Sequence, residues 1–351
     1  MCKVRDGEII DENCHNIIDL SDFGIDGLVG RGCIADADWI GGIVVPCHIS
    51  STDPSCILCL PTRKVYSLTQ LEHGKHGIIE GGKREINDTM HLVMIKRAKN
   101  YSKSLIQEAL LQRAVYNSLC RRGFPNGASR VYDIIGLRNN TACFSMEPMQ
   151  GMKLNDVINQ RIGFDLVNII IESLFHISTM LWNLIDDIGM NHRDLKPNNI
   201  IIRTHEPISK MINVADMSFT INSQLEVSII DFGFSCVGVE GGKGGGSLNV
   251  GAGYDPEDPC PKEGRDMYMF LAFMFFYTHN KLPVDMTALF ERWLNVEGCN
   301  MTGFLKSPVA PKEKREVMDW IYKLTGDPQV VRFNTTPERI VRDLQDLIAS
   351  T

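Results

Sequence analysis

The spacing of apolar positions divides the chain into a strand-rich first part and a helix-rich second part. Val65-Tyr66-Ser67-Leu68 and His91-Leu92-Val93-Met94-Ile95 are short aliphatic runs among glycine-rich turns, the pattern of strands over residues 66 to about 100. Leu105, Ala109, Leu111, Val115 and Leu119 recur at helical spacing and predict a helix over Ser104 to Leu119. Ala142 to Met146 reads as a further strand. Leu166, Ile169, Ile170, Phe175, Ile177, Leu181, Leu184 and Ile188 give a wide apolar face to a long helix over Phe164 to Ile188. Ile200 to Arg203 and Val227 to Ile230 predict two short strands, and the chain beyond them is helical with loops. Residues 1 to about 65 mix acidic turns, glycine pairs and cysteines with no sustained period, and read as an extension of short strands and loops. Strands first and helices later predict an α+β protein with two lobes.

Composition narrows the class. The 351 residues are 44% hydrophobic and 23% charged, which suits a globular chain of two modest domains or one bilobal unit. It excludes a disordered, collagen-like or repeat-fibre chain. Lys plus Arg is 36 and Asp plus Glu is 43, a net charge of -7. That argues against a general nucleic-acid coat, because phosphate binding takes a basic face. The N-terminus MCKVRDGEIIDENCHN has no apolar core of a signal peptide. The longest strongly apolar stretch, Met267 to Tyr277, is too short to span a bilayer. The expectation is a cytoplasmic protein without a membrane partner. Eleven cysteines are an odd count for a disulfide framework, and thiols are expected in a reducing compartment.

The chemistry is concentrated in His192-Arg193-Asp194-Leu195-Lys196-Pro197-Asn198-Asn199 and, after the strand Val227 to Ile230, in Asp231-Phe232-Gly233. Phosphoryl transfer needs positioning and cancellation of charge on phosphate oxygens. Magnesium supplies the cancellation and prefers carboxylate, amide and water oxygens. Asp231 at a strand end and the Asn199 side-chain amide are candidate holders of that metal. Asp194 can accept the hydroxyl proton of the nucleophile, and Lys196 can sit beside the transferring phosphate.

At these residues the chain resembles the eukaryotic-type protein kinase family, through H-R-D-L-x-x-x-N and D-F-G. The resemblance implies a bilobal protein-kinase-like fold: a Cys-rich N-terminal extension over 1–65, a small β-rich N-lobe over 66–149 and a larger, mostly helical C-lobe over 150–351. It implies ATP and Mg2+ as cofactors and a protein substrate, with no nucleic acid as partner. Val93-Met94-Ile95-Lys96 matches V-A-I-K, so Lys96 looks like the residue holding the α- and β-phosphates. Leu71-Glu72-His73-Gly74-Lys75-His76-Gly77-Ile78-Ile79 resembles the glycine-rich loop, with Glu72 in place of the first glycine. Leu71, Gly74, Gly77 and Ile79 are then the nucleotide-covering positions. A helix glutamate should pair with Lys96; Glu108 is the only acid in this helix, whereas the spacing of Val115, Tyr116 and Leu119 puts the equivalent at Gln112, four residues on along the same face, where a neutral hydrogen bond would replace the ion pair. Phe144 to Gly151 resembles the hinge, with Met146 guarding the inner pocket and Met149 offering its N–H to the purine. Asp266 looks like the acid opening the central helix of the large lobe. Tyr254-Asp255-Pro256-Glu257 resembles A-P-E, and Arg332 is the expected buried partner of Glu257. Lys196 resembles the Ser/Thr branch, so the implied activity is transfer of the ATP γ-phosphoryl to protein Ser or Thr.

The chain also departs from that family. Gly238 to Gly253 holds eight glycines, and the segment after Asp231 carries Ser235 and Ser247 but no threonine. Thr204 to Gln224 is an insertion where a tight hairpin is usual. Such divergence is similar to that of kinases of large DNA viruses. A kinase-like scaffold without turnover and a small-molecule kinase remain alternatives. In the extension, Cys56-Ile57-Leu58-Cys59 with Cys47-His48 has some zinc-ligand character, but Ile57-Leu58 suits a strand with buried free thiols better.

Overall fold

The computed structural model describes residues 55–60, 63–73, 77–98, 103–136, 142–161, 163–214, 217–238, 248–250, 257–295, 300–306 and 314–348, and four short backbone strands among the first 54. Gly74, Ser247, Tyr254 to Pro256, Cys47 and His48 lie outside the described residues.

Met1–Asn117 and Ala128–Met149 form one compact unit. The strands β1 (Lys3–Arg5), β2 (Glu8–Ile10) and β3 (Asn16–Asp19) pair antiparallel. A seven-stranded sheet follows from β4 (Val44–Pro46), β5 (Cys56–Leu60), β6 (Arg63–His73), β7 (Gly77–Ile86) and β8 (Thr89–Ala98), then, after helix α1 (Lys103–Arg121), β9 (Val131–Gly136) and β10 (Ala142–Met146). The spatial order is β4-β9-β10-β8-β7-β6-β5. The β7–β8 turn uses Asn87 and Asp88 at φ 46° and 64°, a conformation that short polar side chains tolerate. Alternation sets the faces: Val93 and Ile95 are buried with Leu58, Val65, Ile135 and Cys143, whereas Leu92 is 72% exposed. Gly82 is required at its position, since a Cβ there would lie 2.5 Å from the Tyr66 carbonyl oxygen. The buried Asp133 on β9 binds Arg63 of β6 (3.1 Å), Arg84 of β7 (2.7 Å) and Ser145 of β10 (2.7 Å), which offsets the desolvation of its charge. Cys56 is buried and its thiol donates to the Leu58 carbonyl (3.2 Å), and no metal-binding group of His, Cys, Asp or Glu occurs among the described residues.

Ser118–Gly127 and Gln150–Thr351 form the second unit. It contains β11 (Met152–Lys153), α2 (Leu154–Gln160), α3 (Gly163–Ile188), β12 (Met190–Asn191), a 3-10 turn (Pro197–Asn199), β13 (Ile200–Val214), β14 (Met217–Ile229), β15 (Cys236–Val237) and β16 (Leu248–Asn249). Helices α4 (Arg265–Thr278), α5 (Val284–Leu294), α6 (Met301–Lys306), α7 (Lys314–Thr325) and α8 (Pro337–Ile348) complete it. Asp165–Ile188 of α3 is long and apolar enough to cross a membrane by composition, longer than the Met267 to Tyr277 stretch singled out from the sequence. However, 67% of the window is buried inside the protein, as in a core helix. Met267 to Phe275 of α4 are all buried, as an all-round apolar helix requires.

The insertion is a pair of antiparallel strands, β13 and β14, with a bulge near its base. Both flanking strands run on into it, pairing from Ile200↔Ile229 to Thr204↔Leu225 and, after a shift of register between Thr204 and Ile208, from Ile208↔Ser223 to Val214↔Met217. Phe219, Ile221, Ser223, Leu225 and Val227 face inward at period two. The Ser223 hydroxyl bonds His176 Nε2 (3.0 Å), and Glu172 accepts the Gln224 and Leu225 N–H groups (2.7 and 2.8 Å), fastening the hairpin to α3.

Two expectations are corrected. Cys236 and Cys260 form a disulfide, with Cα atoms 6.3 Å apart, where thiols were expected. An odd total does not forbid one pair, and the fold brings β15 and the segment before α4 within bridging reach. Glu257 and Arg332 are both exposed rather than a buried pair. The buried carboxylate is the neighbouring Asp258, held by Lys262 (2.7 Å), Arg193 (3.4 Å) and Arg265. Burial and the adjacent Arg265 push the Lys262 ammonium down to about 8.

Candidate active site

In the second unit the segment after β12 is fixed from below by α4. Asp266, 2% exposed in the first turn of that helix, accepts the N–H groups of His192 (2.7 Å) and Arg193 (2.8 Å) and the Asn191 side-chain amide (3.2 Å). The positive end of the helix favours a carboxylate there. These bonds hold Arg193 in the left-handed region at φ 64°, which costs about 1 kcal/mol for a residue with a Cβ. The His192 ring then joins its own loop to the segment after β14: Nδ1 faces the Asp194 N–H (3.3 Å) and Nε2 faces the Ile230 carbonyl (3.1 Å). That pattern assigns the proton to Nε2. Phe232, fully buried, packs on the same ring at 5.2 Å between centroids.

Asp194 is the hub. It is 5% exposed, and Lys196 Nζ reaches both its oxygens, at 2.7 and 2.9 Å. The Asn199 side-chain N–H2 donates to Asp194 Oδ2 and to the Asp194 carbonyl, both at 2.8 Å. The Tyr322 hydroxyl of α7 donates to Asp194 Oδ1 and accepts from Lys196 Nζ (2.9 Å).

Asn199 and Asp231 end up at one end of the hairpin. Asn199 precedes β13, Asp231 follows β14, Ile200 pairs with Ile229, and the Ile230 N–H donates to the Asn199 carbonyl (3.0 Å). Asp231 is exposed with φ 66°. The nitrogen of the Asn199 amide is turned to Asp194, so the amide oxygen is the Asn199 atom able to ligate a metal. One amide oxygen and one exposed carboxylate, both hard donors, fit Mg2+.

In the first unit Lys96 Nζ binds Glu108 Oε1 at 2.5 Å, and Glu108 is 4% exposed. Of the two candidates, Glu108 takes the lysine. Gln112 donates to the Ser129 carbonyl (2.9 Å) and lies 3.6 Å from the Met146 sulfur. Ile79 on β7 pairs with Lys96 on β8. Gly77 is so close to β8 that a Cβ would lie 2.9 Å from the Arg97 carbonyl oxygen. Leu71 is on β6, 61% exposed, and Met149 is half-buried at the end of the unit.

The structure thus bonds Asp194, Lys196 and Asn199 directly, sets Asp231 beside Asn199 along the hairpin, and groups Gly77, Ile79 and Lys96 on neighbouring strands. The residue that the sequence does not disclose is Tyr322, far along the chain and outside any motif.

Residues 130–251 match the family model described as poxvirus serine/threonine protein kinase. The matched segment carries Asp194, Lys196, Asn199 and Asp231, and the match bears out the resemblance to a divergent, viral-type kinase family. No curated protein matches the chain.

Proposed function

We propose that the chain is a serine/threonine protein kinase of bilobal fold that transfers the γ-phosphoryl group of Mg-ATP to protein hydroxyls. The observation that carries this is the bonded set Asp194, Lys196 and Asn199, inside the segment that matches the viral kinase family. Asp194 takes the hydrogen bond, and then the proton, of the acceptor hydroxyl. The hydroxyl oxygen forms a bond to the γ-phosphorus as the bond to the bridging oxygen breaks and ADP departs. Lys196 offsets charge on the transferring group, and Lys96, oriented by Glu108, binds the α- and β-phosphates. Leu71, Gly74, Gly77 and Ile79 cover the nucleotide, and Met149 offers its backbone N–H to the base. Mg2+, held by Asn199 and Asp231, supplies charge neutralisation on the phosphate oxygens.

The test is incorporation of label from γ-labelled ATP into a generic basic protein, with Asp194→Ala as the comparison. Transfer by the wild type that the variant loses supports the proposal. Equal background in both supports a scaffold without turnover. Transfer to choline or free sugars but to no protein supports a small-molecule kinase.

A further inference from the structure

We infer that Tyr322 is a positioning residue of the phosphoryl-transfer site, an inference that rests on the kinase proposal above. A carboxylate offers about four acceptor positions. On Asp194 all four are taken: two by Lys196 Nζ, one by Asn199, and one by the Tyr322 hydroxyl. Lys196 has a further acceptor in the Tyr322 oxygen at 2.9 Å, so one phenol holds both the base and the cation of the proposed reaction.

Transfer requires the acceptor hydroxyl to reach Asp194, so one of these bonds must open. Lys196 is the partner with a reason to leave, since a phosphoryl group competes for its ammonium. When it turns away, one position opens on each oxygen, while Tyr322 keeps Oδ1 engaged and Asn199 keeps Oδ2 engaged. The phenol and the Asn199 amide, one on each oxygen, therefore hold the carboxylate in place while the acceptor hydroxyl binds.

The anchoring of Tyr322 favours this role over that of a plug that must withdraw. Its ring packs on the fully buried Phe273, with centroids 5.8 Å apart, and lies 5.6 Å from Lys196 Nζ. The C-terminal end of its helix is tied down by buried cations. Lys262 Nζ and Arg265 Nε both donate to the Thr325 carbonyl at 3.1 Å, and Lys262 also reaches the Asp327 carbonyl at 2.8 Å. A plug that withdrew with its helix would have to break these ties at each turnover.

Tyr322→Phe keeps the ring and removes the hydroxyl. The expected result is a fall in kcat of about tenfold, corresponding to loss of one charge-assisted hydrogen bond, with KM for ATP within about twofold of the wild type. A variant with kcat equal to the wild type overturns the inference while the kinase proposal stands. A variant with higher kcat makes Tyr322 a plug and also overturns it. An inactive wild type counts against the kinase proposal instead. A second measurement needs no turnover: fluorotyrosine-labelled protein, with the 322 resonance assigned by its absence in Tyr322→Phe. That 19F resonance should move in Asp194→Asn, which alters the acceptor of the Tyr322 hydroxyl. A resonance indifferent to Asp194→Asn overturns the inference even in a protein that does not turn over.

Discussion

Asp266→Ala isolates the contribution of the carboxylate beneath the proposed catalytic loop. The wild-type carboxylate satisfies two buried backbone N–H groups, at 2.7 and 2.8 Å. Leaving each without an acceptor costs about 2 kcal/mol, or about 4 kcal/mol together. Arg193 is then no longer held at φ 64°, and its relaxation returns about 1 kcal/mol. The net expected loss is about 3 kcal/mol, a large share of the stability of an ordinary domain. Asp266→Asn keeps one carbonyl acceptor and should lose roughly half as much. Urea unfolding followed by far-UV circular dichroism reads both values, with the slope on denaturant unchanged. Phosphoryl transfer should fall in both variants, because Asp194 follows directly on the two anchored residues. A loss under about 1 kcal/mol for Asp266→Ala, or equal losses for Ala and Asn, would refute the assignment of Asp266 as the anchor.

Three further outcomes are expected. Glu108→Gln leaves Lys96 without its buried counter-charge and should weaken Mg-nucleotide binding about tenfold by isothermal titration, whereas Gln112→Glu should not restore it. Burial, outweighing the Glu172 contact, holds His176 below its usual range, so the folded protein resists protonating it. Stability from this residue is present above about pH 6.5 and is lost as pH falls further, by at most about 1.4 kcal/mol per pH unit; the difference between wild type and His176→Gln in urea unfolding at pH 7 and pH 5 should shrink accordingly. Reducing Cys236–Cys260, whose partners are 24 residues apart, should cost about 3 kcal/mol of stability, and the Cys236→Ser, Cys260→Ser double variant should be insensitive to reductant.

What the sequence discloses follows from how local each signal is. Helix α3 is legible because its apolar residues recur within one continuous segment, and the structure extends the prediction by only one residue, to Gly163. His192 to Asn199 is legible because its chemistry occupies eight consecutive residues. The insertion is a different case: Phe219, Ile221, Leu225 and Val227 alternate as a strand does, yet Pro207 and the polar residues around it mask the pairing. Glu108 and Gln112 share a helix face, so only packing decides which meets Lys96. Glu257 and Asp258 are adjacent acids, and a one-residue change of facing decides which is buried among cations. Tyr322 and the Cys236–Cys260 pair depend on long-range folding that no local pattern encodes.

The central claim is that Lys96 and Asp231 take part in binding one Mg-nucleotide. Isothermal titration of AMP-PNP into the wild type, Lys96→Met and Asp231→Asn, each with and without Mg2+, tests it most directly. The account predicts binding by the wild type that depends on Mg2+, a loss of affinity of at least about tenfold in each variant, and a Mg2+ dependence that disappears in Asp231→Asn. Wild-type affinity retained in both variants, or no nucleotide binding by the wild type at all, would contradict it.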